Sequence, residues 1–345
     1  MNLDILIFDM DGVLIDVSKS YRKTIQKTIQ FYLETCLGFK GIREDWITNK
    51  EISLFKSAGG FNNDWDLTSG LLLYLLSISG ILPLLKRKRF SSVQKIAPYL
   101  KTKSSMIHRK TPIRLKRKDL LSFLEKVRRS GGGLRGVQRV LGTSWEGWVY
   151  RLGDIDGENL IKRIFQEIYL GEKFAVRYHL PPLFYRGKGF HLQERLLIPK
   201  RILSTLQKKV RMGIASGRPR FEAETALKRF GLQPYFDSVV TLSECETEEN
   251  RIFHATGKKT HRSKPHPYSI LRTVQEIGIP NPKCGYIGDV VDDMLAARAA
   301  KKNLSVLAIG FLVGHRDKKA EKISLIKSGA DLLIERPSQL LRLIS

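Results

Sequence analysis

The 345 residues are 42% hydrophobic and 27% charged, which is enough apolar content for a large core and excludes a disordered chain. Sixty Lys and Arg against 34 Asp and Glu leave a net charge of +26. That balance favours anionic partners, whether phosphorylated metabolites, nucleic acid or an acidic membrane surface, and says nothing about fold. Cys36, Cys245 and Cys284 are odd in number, widely spaced and without a CxxC pair. They argue against a disulfide framework and a zinc site, and point to a reducing cytoplasm.

Leu3 to Phe8 is a short, nearly continuous apolar run and reads as a buried parallel strand. No basic segment precedes it, so the N-terminus does not read as a signal peptide. The strand runs into Asp9-Met10-Asp11-Gly12-Val13-Leu14. Ser18 or Ser20 is placed to cap the next element, where Tyr21, Ile25, Ile29, Tyr32 and Leu33 recur at helical spacing. Leu67 to Leu85 carries no charge and is followed by Lys86-Arg87-Lys88-Arg89. Its Ser, Thr, Gly and Pro content favours a buried helix over a membrane span.

Lys86 to Arg129 holds sixteen Lys and Arg against Asp119 and Glu125, more than half of the net charge. Interleaved Leu, Phe and Ile make it an amphipathic, solvated face, with nucleic-acid or membrane attraction as the alternative. Gly131-Gly132-Gly133 has no GK[ST] ending and no preceding strand, and reads as a flexible connection. Trp145 and Trp148 read as core. From Asp16 to about Lys200 the chain is largely helical, broken at Gly59-Gly60, at Gly131 to Gly133 and at Pro181-Pro182.

Beyond that point strand and helix alternate. Strands are expected at Val210–Ala215, Asp237–Leu242, Cys284–Gly288, Leu304–Ile309 and Asp331–Ile334. Helices are expected at Phe221–Phe230, Tyr268–Ile277 and Asp292–Lys301, with a Lys-rich helix before the last strand. The pattern implies an α/β fold, a doubly wound parallel sheet with ligands at the C-terminal edge of the strands. The expected division is residues 1–15 and 200–345 as a catalytic core, with 16–199 as a helical insertion.

Four elements fall at strand ends or a helix start: the Asp9 to Leu14 motif, Ser216, Lys264-Pro265 opening a helix, and Gly288-Asp289-Val290-Val291-Asp292-Asp293. A parallel sheet would bring them together. A carboxylate can attack phosphorus, and a Lys and a hard cation held by carboxylate oxygens can neutralise the phosphate. Two Asp at a spacing of two can divide attack and proton handling, and Gly12 lets backbone N–H groups approach a phosphate. Arg218 and Arg220 lie close enough to meet an anionic substrate group, with a plain surface role as the alternative. His261 and His266 read as loop histidines.

The ordered quartet resembles the haloacid dehalogenase superfamily, over nearly the whole chain. The segments Phe61 to Trp65, Arg163 to Gly171 and Ile214 to Arg220 resemble a poorly characterised phosphatase-like subgroup of the branch with a helical cap. The resemblance implies a Rossmann-like core and a Mg²⁺-dependent phosphatase acting on a small phosphorylated metabolite through an aspartyl-phosphate, with phosphoglycolate or a sugar phosphate as family-level substrates. It makes Asp9 the nucleophile and a metal ligand. Asp11 becomes the general acid/base, lending its carbonyl to the metal. Ser216 and Lys264, with Gly12 and Gly217, would hold the phosphoryl group. Asp289 would ligate Mg²⁺ and Asp293 would position Lys264 or a metal-bound water, with Asp292 as a second candidate and Arg218 in support. The insertion is larger than the usual cap. A phosphomutase using the same quartet, or a basic nucleic-acid-binding protein on this scaffold, are the alternatives; the oligomeric state stays open.

Overall fold

The computed structural model describes residues 3–39, 46–61, 63–106, 115–315 and 317–344. Asn62 and residues 107–114 of the basic stretch therefore lie outside the described residues. The chain divides into two compact units, residues 18–194 and the combination of 1–17 with 195–345.

In chain order, the second of these begins with β1 (Ile5–Phe8) and β2 (Ile15–Asp16). The helical unit follows: α1 (Tyr21–Phe31), which passes into a π-helical turn at Tyr32–Cys36, then α2 (Asn49–Ser57), α3 (Asp64–Ile78), α4 (Ile96–Ser105), α5 (Arg117–Arg129), α6 (Gly133–Leu141), α7 (Leu160–Leu170) and α8 (Lys173–Tyr178). The chain then returns to the α/β unit through β3 (Arg195–Leu196), α9 (Lys200–Gln207), β4 (Arg211–Ala215), α10 (Arg220–Phe230), β5 (Ser238–Val240), α11 (Leu242–Thr256), α12 (Tyr268–Ile277), β6 (Lys283–Gly288), α13 (Val291–Ala300), β7 (Ser305–Phe311), α14 (Lys318–Ser328) and β8 (Leu332–Ile334).

Six strands form one parallel sheet in the order β5-β4-β1-β6-β7-β8. The apolar runs explain it. All four residues of β1 are buried, as are five of the six in β6, because both sheet faces are covered. Ile5, Ile7, Tyr286, Met294, Ala297, Ala308 and Leu325 belong to one core cluster joining the sheet to α13 and α14. The chain moves outward from β1 to β4 and β5, then crosses back to β6, β7 and β8. The direction reverses between β1 and β6, which is where ligands bind in such sheets. β2 pairs antiparallel with β3.

Five expectations are corrected. Ser20 sits at the N-cap of α1, but its hydroxyl donates to Glu194 Oε1 at 3.1 Å and caps no helix N–H. Leu67 to Leu85 is not one element: α3 stops at Ile78, and Leu82 and Leu85 are exposed. No helix among the described residues is long and apolar enough to cross a membrane. The strand after β4 is only three residues long, and α11 follows it, announced by a Thr241-x-x-Glu244 capping box in which the Thr241 N–H donates to Glu244 at 2.7 Å. Lys264-Pro265, read as opening a helix, stands in a turn before α12, which begins at Tyr268.

The fifth concerns the glycines. Gly131 to Gly133 is a packed connection rather than an open one. The Gly133 N–H donates to Gly59 O at 2.7 Å, and a β-carbon at Gly133 would overlap the Gly60 carbonyl. The two glycine breaks lie backbone against backbone, which side chains would prevent. Elsewhere in the helical unit, Trp148 is fully buried and donates to Leu82 O at 2.9 Å. The charged pair Arg163 and Glu167 is also fully buried, 2.5 Å apart on one face of α7. Glu167 accepts backbone N–H groups from Leu183, Phe184 and Tyr185, and Arg163 donates to Pro181 O. The pair thus satisfies the backbone of the Pro181-Pro182 break, the compensation that a buried charge requires.

Candidate active site

β1 ends at Phe8, and the next carboxylate, Asp9, leaves the sheet at its C-terminal edge, with its N–H still bonded to Ile287 O at 2.9 Å. The chain then turns tightly. Leu14 and Ile15 N–H both return to Met10 O, and Gly12 N–H to Ile15 O at 2.8 Å. Gly12 has φ +78°, and a β-carbon there would overlap the Asp289 carboxylate. Glycine is required twice over, for the backbone conformation and for the approach of the neighbouring acid.

Asp289 follows β6, and Asp293 projects from the first turn of α13. Asp9, Asp289 and Asp293 are buried and each offers an oxygen within 4.8 Å of the others. Asp293 is saturated: it accepts from Lys264 Nζ at 2.7 Å, from Tyr286 Oη at 2.8 Å and from the N–H groups of Asp289 and Val290. Lys264 Nζ also donates to Asp9 Oδ1 at 2.8 Å, so one ammonium bridges two of the three acids. Asp292, half-buried in the same helical turn, stands outside the three-acid group.

Burial raises the Asp9 carboxyl well above the usual range; Lys264 opposes that, while Asp293, Asp11 and Asp289 add to it. For Lys264, burial works against the ammonium, but Asp293 and Asp9 hold its pKa above the usual lysine value. Three acids in a buried place face one lysine and, beside Asp289, the His315 ring. Oxygen donors of this kind suit a hard divalent cation such as Mg²⁺, so the residues present fit such an ion.

Ser216 follows β4, buried, with its N–H on Val240 O at 2.9 Å and its hydroxyl accepting from Arg218 N–H at 3.2 Å. Gly217 beside it is exposed. Arg218 is fully buried rather than on the surface, and its Nε donates to Asp11 Oδ1 at 2.5 Å. Arg220 turns away to Glu244 at 2.8 Å and Val239 O at 2.7 Å. His266 stays in its loop, 2.9 Å from Arg262 Nη1.

Sequence reasoning missed two groups. Tyr286 anchors Asp293 from β6, and its place two residues before Gly288 on the same strand face was the available signal. His315 lies in the loop after β7, with Nε2 3.2 Å from Asp289 Oδ2 and Nδ1 3.7 Å from Glu321 Oε1. The first contact is an ion pair without the alignment of a hydrogen bond. Burial would lower the pKa of His315, but the carboxylates of Asp289 and Glu321 push it up to about 10. Nothing in its local sequence marks it except its place after a strand end.

Residues 3–301 match the family model of haloacid dehalogenase-like hydrolases. The chain is 22% identical over 297 residues to an imidazoleglycerol-phosphate dehydratase of Phytophthora nicotianae, covering 86% of this chain and 41% of that protein. It is 28% identical over 128 residues to a phosphoglycolate phosphatase of Xanthomonas campestris pv. campestris, covering 37% of this chain and 48% of that one. The matches thus span less than half the length of these two relatives. Among solved structures, phosphatase Tt82 from Thermococcus thioreducens superposes with a TM-score of 0.52 at 21% identity, over 93% of this chain and 99% of that one, a likeness of fold.

Proposed function

The chain belongs to the haloacid dehalogenase-like hydrolases, and from that premise we propose that it is a Mg²⁺-dependent phosphatase of a small phosphorylated metabolite. The observation that carries this reading is the Lys264 ammonium held between Asp9 and Asp293 inside a buried cluster of three acids. Such a cluster would accept a phosphate dianion only with its own charge neutralised, and it lies at the strand edge where the sheet changes direction. The names of both relatives carry a phosphorylated small molecule, which supports the substrate class. Phosphoglycolate and sugar phosphates are the first to try.

In this mechanism Asp9 Oδ attacks phosphorus, the P–O bond to the leaving group breaks, and an aspartyl-phosphate forms on Asp9. Asp11 gives a proton to the departing oxygen, then takes one from the water that hydrolyses the acyl phosphate. Ser216, the N–H groups around Gly12 and Gly217, and Lys264 hold the phosphoryl oxygens. Asp9, Asp289 and the Asp11 carbonyl would hold Mg²⁺, which supplies charge neutralisation at the phosphate. Asp293 keeps Lys264 in place. Cys36, Cys245 and Cys284 take no part. They are buried free thiols with pKa values pushed up to about 12 by burial, consistent with a cytoplasmic protein.

The test is phosphate release from a panel of phosphorylated metabolites with Mg²⁺, with the Asp9→Asn protein as control. Release by the wild type that the variant lacks supports the reading. No release from any phosphomonoester, including p-nitrophenyl phosphate, overturns it.

A further inference from the structure

We infer that His315, backed by Glu321, is a positioning residue that fixes the Asp289 carboxylate for metal binding. The inference rests on the reading of the three-acid cluster as a Mg²⁺ site. The geometry is a clamp. On one side of Asp289 stands Gly12, so close that even a β-carbon would overlap the carboxylate. On Oδ2 stands His315 Nε2 at 3.2 Å, in a buried position. Gly12 and His315 thus both bear on Oδ2, which stands between a backbone wall and a ring nitrogen. The backbone is fixed as well, since the Asp289 N–H donates to Asp293 Oδ2 at 3.0 Å.

Glu321 gives the ring its own support. It sits in the first turn of α14, with Oε1 3.7 Å from the far ring nitrogen. That helix start is itself fixed by Asp317, whose carboxylate accepts the Ala320 N–H at 3.1 Å. With an acid behind it, the ring is supported on the side away from Asp289. The chain is Asp289, His315, Glu321: a ligand, an orienting ring and an acid behind the ring. Groups that orient a ligand in this way are worth roughly 10- to 100-fold in metal affinity.

The experiment is a titration of the full chain with Mn²⁺, followed by the loss of the free-ion paramagnetic signal, and with Mg²⁺ by calorimetry. Thermal melts establish that each variant is folded. His315→Ala is expected to weaken binding about 10-fold or more. Glu321→Gln, which keeps the ring but loosens its support, is expected to weaken binding by less. Turnover of p-nitrophenyl phosphate at saturating Mg²⁺ should stay near wild type in both, so that the defect lies in the metal concentration required. A folded His315→Ala protein with wild-type metal affinity overturns the inference while leaving the metal site standing. A wild type that binds neither ion overturns both readings together. Should His315→Ala fail to fold, Glu321→Gln and His315→Gln carry the test, and unchanged affinity in both counts against it.

Discussion

Arg218 Nε donates to Asp11 Oδ1 at 2.5 Å from a fully buried position, so the acid two residues beyond Asp9 is held by a guanidinium that β4, the strand paired with β1, delivers. Removing Arg218 should therefore act through Asp11. Arg218→Gln is expected to lower kcat about 10- to 100-fold on an alkyl phosphate, a fraction of what general acid catalysis contributes. The loss should be several-fold smaller on p-nitrophenyl phosphate, whose leaving group departs without a proton. Equal losses on both substrates would show that Arg218 acts elsewhere.

Asp9→Asn should abolish turnover and leave the metal-free fold at least as stable as wild type. The folded-state pKa of Asp9 is raised, with burial as the main cause. A carboxylate with a raised folded pKa destabilises the native state once it ionises. The metal-free protein should therefore lose stability as pH rises from the ordinary carboxylate range through the raised folded value. Asparagine removes that charge, while Lys264 keeps Asp293 as a partner. Melting curves in chelator at neutral pH check it; a marked fall in Tm would contradict the sign.

Chelation should remove activity, and Mg²⁺ should restore it. Asp289→Ala is expected to raise the Mg²⁺ concentration for half-maximal activity at least about 10-fold, because it deletes a proposed direct ligand rather than an orienting group. Full activity of the wild type in excess chelator would remove the metal from the mechanism.

In the helical unit, Glu167→Ala should cost about 3–5 kcal/mol, since it leaves the buried Arg163 with only the exposed Asp156, 3.2 Å away, as an acidic partner. Three backbone N–H groups at Leu183, Phe184 and Tyr185 lose their acceptor at the same time. Differential scanning calorimetry should show the change as a lower-melting transition, and a Tm within a degree of wild type would refute it.

Lys116, Arg117, Lys118, Arg128 and Arg129 are exposed at or on α5, whose apolar side, Leu120, Phe123, Leu124 and Val127, is buried. Changing these cations to Gln should weaken capture of anionic substrates, by a factor that shrinks as salt rises, with little effect on kcat. If the wild type retains DNA or RNA on a filter with a steep salt dependence that this variant loses, the face binds nucleic acid instead. A large fall in kcat for the folded variant would contradict both.

The parallel sheet and most of its helices were legible in the sequence because their signals are local. β1, β4 and β6 are apolar runs with no need of alternation, and α12 lies where its 3.6-residue period placed it. Acids and hydroxyls directly after those strands had to share one edge, whatever the packing, because parallel strands all end on the same side. The short β5 hid α11, whose capping box was nevertheless in plain view.

Other relationships depend on contacts between residues far apart in the chain, and only the tertiary structure decided them. The glycines at 59–60 and 131–133 are two separate breaks in sequence and one backbone contact in space. Arg218 read as a substrate ligand or as a surface side chain until the fold set it against Asp11, 207 residues away. His315 carries no motif; it matters because β7 lies beside β6, and the loop after β7 therefore brings its ring to Asp289. The sequence determined which residues stand at the strand ends, since a strand's period and its boundary are properties of neighbours. Which charge faces which was left to packing, because the partners of a buried charge are chosen by proximity in space and by the free energy of leaving that charge unpaired.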